Sequence, residues 1–442
     1  MNDKEDTKST SFSRKLSEIL ERIRKEQTDG ISELKDLSKD YPDVPEILGH
    51  LAWALAHKQR YEEAINIYRK FQKMQPEDFE VQWRIADRLI NLGRLEEALE
   101  EYQKVFNEHS KCIDARIGIQ YAKYLLRKKN KNMEGNTPIA RKFSPRQEEN
   151  KILNKREFQE NRLKLKSLPS QLYLESTTKC NYYCQTCIKG YVPYYAEDLH
   201  QDIFDKVHRE IMPAVCRISI TGFGEPTMAS RFDDILEMAL RNGSHVHFVT
   251  NASLLNFERI EQFTRASVDI QISIDGASRE TFEEIRAGSS FQQICERLAM
   301  IKKLRDIYLS DFYSRFSFNF VAIRKNIHEL PSVVELAHRF GITDVSVSDY
   351  AFGYREFDEQ SLRYDPQKAN HFIQKASQLA DSLGVKLHLP PPYESTPPPL
   401  PGSALWQKLK KISRVFPTPK RFPRRCHSPW MEPYIKTNGV VT

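Results

Sequence analysis

Three cysteines lie within eight residues of a 442-residue chain that holds seven cysteines in all. Cys180, Cys184 and Cys187 form the segment CNYYCQTC, and no fourth cysteine or histidine lies in the same loop. A structural zinc site normally takes four protein ligands, whereas three cysteines leave one iron of a [4Fe–4S] cluster free. We interpret the loop as a site for such a cluster, with zinc as the alternative.

Short β-rich segments alternate with amphipathic helical segments from Gln171 onward, and the cysteine loop follows the first of them. The predicted strands span residues 171–176, 217–222, 245–250, 268–274, 315–323 and 344–350. This alternation predicts a parallel sheet with right-handed crossovers. We therefore expect a partial (β/α)6 barrel over residues 167–386, with its functional groups where the strands end.

Small, polar and charged residues follow the next three predicted strands. The second strand leads into TGFGEP, the third ends in TN, and the fourth ends in SIDG. The carboxyl ends of parallel strands meet at one edge of a sheet, so these segments should lie beside the cysteine loop. The polar candidates at the third and fourth strand ends are Thr250, Asn251, Ser273 and Asp275.

The cysteine loop and these strand ends together resemble the radical S-adenosylmethionine (SAM) superfamily, whose C-x3-C-x2-C loop matches CNYYCQTC. The resemblance makes the three cysteines the ligands of a [4Fe–4S] cluster. It also places the amino group of the SAM methionine at Gly224, Glu225 and Pro226. These match a Gly-Gly-Glu-Pro element in which Phe223 replaces the first glycine.

By the same resemblance, the later strand ends contact the rest of SAM. The residues implied near the ribose are Thr250, Asn251, Ser273 and Asp275. Arg286 is implied to hold the methionine carboxylate, which a guanidinium binds bidentately. A surface salt bridge between Arg286 and Glu283 is the alternative, and Arg324 is a second candidate for the carboxylate.

The resemblance implies that SAM binds the iron that the cysteines leave free. One-electron reduction then cleaves the sulfonium to methionine and a 5′-deoxyadenosyl radical, which abstracts a hydrogen atom from a substrate. An enzyme of this kind is oxygen-sensitive. We expect an acidic electron donor such as a flavodoxin or ferredoxin, docked on basic segments of the chain, and hence a reduction rate that depends on ionic strength.

The N-terminal part of the sequence repeats with a period of 34 residues. Ala52 recurs as Ala86, and Tyr68 recurs as Tyr102. The pattern resembles the tetratricopeptide repeat, with its small and aromatic positions at Leu48, Leu51, Ala52, Leu55, Ala64, Tyr68 and Pro76. We predict a helical repeat array over residues 30–128, after a disordered or helical extension over 1–29. Its expected function is to recruit a peptide or protein substrate, and a docking platform within the chain is the alternative.

Two segments hold most of the positive charge. Residues 127–166 and 403–425 each carry a net charge of +8, although the whole chain carries only +7. The folded remainder is therefore acidic, and overall basicity is poor support for nucleic acid binding. We interpret residues 129–166 as a basic linker and residues 387–425 as a Pro-rich and basic connector, both solvated unless they dock the electron donor.

The last segment, residues 426–442, begins with Cys426 and contains the turn residues Asn438 and Gly439. These predict a small C-terminal hairpin. CHSPW before a hairpin resembles the opening of a SPASM or twitch region, which implies that Cys426 is a ligand of one or two auxiliary iron–sulfur clusters. A lone thiol is the alternative. The resemblance puts further ligands beyond Thr442, as expected of a fragment. Cys112, Cys216 and Cys295 are predicted core residues.

The sequence contains no apolar run long enough to cross a bilayer and no apolar signal-peptide core near its start. A cytoplasmic protein is therefore expected, with no membrane partner. The favoured function is a radical SAM enzyme that acts on a peptide or protein held by the repeats. The alternatives are an enzyme that acts on a small molecule, such as a sugar or cofactor precursor, and a repeat scaffold that binds SAM without reacting.

Overall fold

The computed structural model describes residues 14–23, 30–129, 143–190, 195–264, 266, 268–350, 358–393 and 434–437. The chain divides into two compact units. The first comprises Met1–Asn136 and Ala299–Phe312, and the second comprises Thr137–Leu298 and Tyr313–Thr442. None of the helices in the described ranges is both long and apolar enough to span a membrane.

The first unit is the predicted array of paired helices. Its helices are α1 (14–23), α2 (Ile31–Asp40), α3 (Pro45–His57), α4 (Tyr61–Met74), α5 (Phe79–Asn91), α6 (Leu95–Glu108) and α7 (Ile113–Lys129). The 34-residue period places α3 and α4 in one repeat and α5 and α6 in the next, and each helix packs on its neighbour. The prediction of helical repeats is confirmed.

The repeated small residues lie where the helices cross. Ala52 and Ala64 are fully buried, as is Tyr102 in the following repeat. The ring of Tyr102 fills the space where Gly118 of α7 would carry a Cβ, so α7 closes the array by packing directly on an aromatic residue. A larger side chain at these positions would therefore clash with the neighbouring helix.

Residues 299–312 pack within the first unit, although in sequence they lie between strands of the second unit. They contribute the end of α13 (Phe291–Tyr308). Lys303 is fully buried there, with its Nζ 3.1 Å from Oδ1 of Asp87 and 4.1 Å from the centre of the Trp83 ring. Asp87 also accepts a hydrogen bond from the hydroxyl of Tyr102. The buried ammonium is therefore paired by a carboxylate and covered by an aromatic ring.

Helix α5 also binds the end of α13 through its backbone. The last carbonyls of a helix lack donors within the helix. Arg88 donates to the carbonyl of Asp306, and Nδ2 of Asn91 donates to that of Ile307 at 2.8 Å. The face formed by α5 and α7, which we call the occupied face, is thus filled by the chain's own residues 299–312.

The second unit is built on an eight-stranded parallel sheet. Its strands are β1 (Gln171–Leu174), β3 (Arg217–Ile220), β4 (His245–Thr250), β5 (Val268–Ser273), β7 (Arg315–Ala322), β8 (Asp344–Asp349), β9 (Lys386–His388) and β10 (Tyr434–Ile435). They lie in the order β10-β1-β3-β4-β5-β7-β8-β9. A separate antiparallel pair joins β2 (Tyr183–Cys184) to β6 (Arg286–Ala287). The six predicted strands, and with them the partial barrel, are confirmed.

Helices separate the strands along the chain. They are α8 (Pro145–Gln159), α9 (Gln201–Lys206), α10 (Phe232–Arg241), α11 (Phe257–Thr264), α12 (Arg279–Ile285), α13, α14 (Leu330–Arg339) and α15 (Pro366–Leu383). Alternate strand residues are buried against them, as the period of two requires. Phe248 of β4 meets Phe232 of α10 and Phe263 of α11 edge to face, with ring centres 5.3 Å away in both cases.

Part of the predicted basic linker is an ordered helix, α8, and not an extended connector. Ser144 and Gln147 form a capping box at its start, and Pro145 occupies the first turn, where proline is tolerated. The helix is anchored by polar groups, since Nε2 of the buried Gln147 donates to the carbonyl of Val215 at 2.7 Å. An apolar period could not reveal it, because its buried residues include Gln147, Asn154 and Glu157.

The two ends of the sheet are closed by short strands that the sequence did not indicate as part of it. β9 pairs with β8, and β10 pairs in parallel with β1 at Tyr173 and Leu174. Residues 434–435 were predicted as the first strand of a hairpin. Here they extend the sheet, and the turn residues Asn438 and Gly439 lie outside the described residues.

Replacing Lys303 by methionine should destabilise the first unit by about 3–5 kcal/mol, because Asp87 would remain buried without its countercharge. The matched control is Lys104→Met, whose ammonium pairs with Glu101 at 3.0 Å but is 56% exposed. That change should cost less than about 1 kcal/mol. Urea unfolding of the full chain, followed by circular dichroism, measures both. Equal losses of unfolding free energy in the two variants would contradict the role of the buried Lys303–Asp87 pair.

Candidate functional site

The cysteine loop follows β1 at the carboxyl edge of the sheet. Cys180, Cys184 and Cys187 are free thiols, each partly buried. Burial raises the pKa of the Cys184 thiol to about 11, an effect that the charge of Arg286 opposes, and burial likewise raises the pKa of Cys180. Metal binding therefore has to displace protons from these sulfurs.

The number of thiols in the loop matches the ligand set of a cluster. A structural zinc ion normally takes four protein ligands, whereas a [4Fe–4S] cluster binds each cysteine to a different iron, and three cysteines leave one iron free. Cys180, Cys184 and Cys187 could therefore hold three irons of such a cluster. Across the described ranges, no three His, Cys, Asp or Glu side chains converge closely enough to hold one metal ion.

The turn that follows β3 holds the start of the cysteine loop by its backbone. The N–H of Glu225 donates to the carbonyl of Lys179 at 2.7 Å. A Cβ on Gly224 would lie 2.5 Å from that same carbonyl oxygen and equally close to the carbonyl of Thr177. Only glycine permits this approach, so the Gly-Glu-Pro sequence is first of all a packing requirement of the loop. Pro226 is buried and begins a short 3₁₀ turn.

The carboxylate of Glu225 ties the end of β3 to the end of β4. It is 2% exposed. Its Oε1 accepts from both the N–H and the hydroxyl of Thr227 and, at 2.6 Å, from the hydroxyl of Thr250, while Oε2 accepts from the N–H of Asn251 at 2.7 Å. Burial raises the pKa of Glu225, and these hydrogen bonds oppose the rise. The predicted residues Glu225, Thr250 and Asn251 therefore form one network.

Asn251 extends that network to the cysteines. Its Nδ2 donates to Oδ1 of Asn181 at 2.9 Å and lies 4.0 Å from Sγ of Cys180. Asn181 in turn donates to the hydroxyl of Ser253 at 2.9 Å. The first cysteine is thus fixed from β4 as well as from β3.

The middle cysteine is fixed from the other side of the site. Cys184 pairs with Arg286 between β2 and β6, and Nη1 of Arg286 lies 3.8 Å from Sγ of Cys184. Nε of Arg286 lies 2.9 Å from Oδ2 of Asp275, and the two side chains are 8% and 0% exposed. The alternative pairing of Arg286 with Glu283 is wrong, because Glu283 instead binds Arg279 and the N–H of Phe291.

Not every candidate joins these contacts. Ser273 ends β5 and is buried, but no described hydrogen bond links its side chain to the cysteines. Arg324 is exposed and donates to the carbonyl of Glu359, so the structure does not bring it to the site. Cys426 lies outside the described residues. Cys216 is buried, as expected of a core residue, whereas Cys112 and Cys295 are only partly buried.

Three residues of the site were missed at the sequence level. Asn181 lies inside the cysteine loop itself. Asn326 is fully buried and donates to the carbonyls of Asp275 and Val321, and Glu329 caps α12 by accepting from the N–H groups of Ala277 and Ser278. Asn326 and Glu329 follow β7, so the rule that candidates lie after strands could have found both.

Comparison with protein families assigns both parts of the chain. Residues 174–337 match the family model of the radical SAM superfamily. Residues 28–76 and 51–106 match that of the tetratricopeptide repeat. The first match covers the three cysteines and all eight candidate SAM residues, and the second covers α2 to α5 and most of α6. The radical SAM family implies a [4Fe–4S] cluster and SAM.

Several curated proteins are similar to part of the chain. The tungsten-containing aldehyde ferredoxin oxidoreductase cofactor-modifying protein of Pyrococcus furiosus is 26% identical, over 40% of this chain and 51% of its own length. The mycofactocin maturase MftC of Mycobacterium ulcerans is 29% identical, over 40% and 46%. The PqqA peptide cyclase of Rhodopseudomonas palustris is 28% identical, over 38% and 44%. The chain spans about half the length of these relatives.

Solved structures are more distant. Streptococcus suis SuiB bound to S-adenosylmethionine is 15% identical over 78% of this chain and 74% of its own, with a TM-score of 0.45.

Gly224→Ala should prevent the cysteine loop from assembling a cluster, because the new methyl group would displace the backbone at Thr177 and Lys179. Gly190→Ala is the matched control, since a Cβ at Gly190, in the same loop, meets nothing within 4 Å. Iron and sulfide bound after anaerobic reconstitution measure the difference. Equal iron contents in the two variants would contradict the role of Gly224.

Proposed function

We propose, from the premise that this chain carries a radical SAM domain after an array of tetratricopeptide repeats, that it is a radical SAM enzyme acting on a peptide or protein. The observation that carries the proposal is the three-thiol loop held on both sides. Asn181 and Glu225 fix its first part, and the pairing of Cys184 with Arg286 fixes its second.

The residues of the site have separate tasks in this proposal. A reduced [4Fe–4S] cluster with bound SAM supplies homolytic cleavage of the sulfonium to methionine and a 5′-deoxyadenosyl radical, which takes a hydrogen atom from the substrate. Cys180, Cys184 and Cys187 hold the cluster. The Gly224–Pro226 turn and Asn251 present polar groups beside Cys180, where the methionine and ribose of SAM are proposed to bind. Arg286 remains a candidate for the methionine carboxylate.

Further features complete the proposal. The reductant is an acidic one-electron donor such as a flavodoxin or ferredoxin, attracted to the basic residues of 127–166 and 403–425. Cys426 is proposed as a ligand of an auxiliary cluster in a SPASM-like region. The proposed cluster makes the enzyme oxygen-sensitive. The three cysteines of the loop, which form no disulfide, fit a cytoplasmic setting.

The peptide substrate is supported by the names of the relatives. One is a cyclase of the PqqA peptide, and another is a maturase. A small-molecule substrate remains the second candidate, favoured by the relative that is described as modifying a cofactor. A non-reacting scaffold is disfavoured, because all three cysteines and the Gly-Glu-Pro turn are intact.

Two features of the repeats, an occupied face and an open groove, support a proposal for where they would hold such a peptide. The α5–α7 face is occupied by residues 299–312. A groove of about 660 Å³ remains beside it, between α3 and the start of α5. The apolar residues that line it include Trp53, Tyr68, Phe71 and Val81, and the acidic residues are Glu46, Asp78 and Glu80.

The chemistry of the groove favours a basic, partly apolar peptide. Its three carboxylates face one guanidinium, from Arg84, which pairs with Glu80 at 3.5 Å. On the neighbouring occupied face, the chain's own Lys303 lies between a carboxylate and an indole ring. We therefore propose that the groove binds a segment in which Lys or Arg adjoins an apolar residue.

The reaction itself is tested by formation of 5′-deoxyadenosine. The anaerobically reconstituted protein, given dithionite and SAM, should produce it, and Cys184→Ala should reduce it to background because one iron loses its ligand. Cys295→Ala is the control, since Cys295 lies in α13 away from the loop in sequence, and it should keep the activity. Chromatography quantifies the product. Full SAM cleavage by Cys184→Ala would exclude the proposed cluster.

The groove is tested with two fluorescein-labelled synthetic peptides that differ only in Lys or Glu beside the same leucine-rich stretch. The Lys peptide should bind more tightly, and Trp53→Ala or Glu46→Gln should weaken it by about tenfold, or about 1.4 kcal/mol. Lys70→Ala, an exposed change on α4 outside the groove, should leave binding unchanged. Fluorescence anisotropy at fixed ionic strength measures all of these. Equal affinity for both peptides would contradict the proposed charge preference.

A further inference from the structure

Arg286 presents a permanent positive charge to one of the three cysteines. Its Nη1 lies 3.8 Å from Sγ of Cys184, and the backbone pairing of β2 with β6 fixes the two residues opposite each other. A guanidinium is not deprotonated in proteins. An N–H donor and a full charge therefore face a proposed iron ligand at all times.

Asp275 places a compensating negative charge behind Arg286. Its Oδ2 lies 2.9 Å from Nε of Arg286, while its Oδ1 accepts from the N–H of Val321 at 2.8 Å. Nδ2 of Asn326 donates to the backbone carbonyls of Asp275 and Val321. The carboxylate is thereby fixed to the end of β7, and it cannot turn toward solvent.

The pair is buried, so its charges are screened weakly. Asp275 is 0% exposed and Arg286 8%. Two opposite charges at different distances from a third group do not cancel there, and the nearer one has the larger effect. Arg286 contacts Cys184, whereas Asp275 contacts Arg286. The net electrostatic potential of the pair at the Cys184 sulfur is therefore positive, and Asp275 reduces it.

We propose that the Asp275–Arg286 pair sets the reduction potential of the cluster held by Cys180, Cys184 and Cys187. Arg286 raises the potential, and Asp275 limits the rise. Reduction adds one electron, and hence one negative charge, to the cluster. Hydrogen bonds to the sulfurs and the net charge around them are established determinants of such potentials. The inference rests on the proposed function, because it presupposes a cluster at these cysteines.

This role is distinct from the binding of SAM by Arg286. A guanidinium carries five N–H groups, and the contacts to Asp275 and Cys184 engage two of its three nitrogens. Arg286 acts on the cluster through Cys184, so it is a positioning and charge-setting residue. The two roles separate when the potential is measured without SAM.

The experiment is a redox titration of the full chain, reconstituted anaerobically with iron and sulfide in the absence of SAM. Electron paramagnetic resonance quantifies the reduced cluster at each dithionite-poised potential. Arg286→Gln should lower the midpoint potential, and Asp275→Asn should raise it. Arg286→Lys, which keeps the charge but not the planar fork, should fall between Arg286→Gln and the unchanged protein.

The opposite signs distinguish the proposal from a structural effect. Looser packing or water entry would move the potential of both variants in the same direction, and that result would overturn the inference. Arg324→Gln is the matched control, because Arg324 is exposed and binds the carbonyl of Glu359. The midpoint potential of the cluster should not change in this variant. If Arg286→Gln assembles no cluster, the direction in which Asp275→Asn shifts the midpoint potential tests the inference, because this variant keeps all three thiols and Arg286.

Failure of the proposed function would look different. An unchanged protein that assembles and reduces its cluster but forms no 5′-deoxyadenosine would refute the proposed reaction and leave the potentials measurable. A protein that forms 5′-deoxyadenosine, with potentials that neither variant shifts, would refute the role of the buried pair alone.

Discussion

The cysteine loop has to be held in place without the use of its thiols, because the proposed function assigns all three sulfurs to iron. The protein meets this constraint through the backbone and through the residues between the cysteines. The carbonyl of Lys179 binds the N–H of Glu225, Asn181 binds Asn251, and Cys184 sits in a two-residue strand opposite Arg286. Glu225 and Asn251 follow the neighbouring strands β3 and β4, and Arg286 lies in β6 of the separate antiparallel pair. The loop therefore depends on the register of β3 with β4 and on the pairing of β2 with β6.

The sequence was most informative where structure follows from a period. All six predicted strands formed, because buried residues such as Phe316 and Phe318 of β7 alternate with less buried ones such as Ser317. The repeat array was recognisable because Ala52, Ala64 and Tyr68 occupy positions that only close helix crossings require. The cysteine loop and the Gly-Glu-Pro turn were found because their chemistry is tied to fixed spacing along the chain.

Charged and polar residues that act in the interior were harder to predict. Lys303 in an amphipathic helix normally indicates a solvated face, yet here it is fully buried against Asp87. Helix α8 escaped notice because its anchors are Gln147, Asn154 and Glu157. Glu283, close to Arg286 in sequence, was the alternative partner considered for it, but the partner is Asp275, which follows β5. These pairings depend on tertiary contacts that no local pattern encodes.

The pairing of β10 with β1 bears on the order in which the chain is made and folds. β1 leads into the cysteine loop, and its two neighbours are β3, which follows soon after it, and residues 434–435. During synthesis, one edge of β1 stays bare until those late residues leave the ribosome. A bare strand edge is a template for pairing with other chains. The edge of the strand that leads into the cysteine loop is thus paired late, and a stalled or shortened nascent chain would leave it exposed.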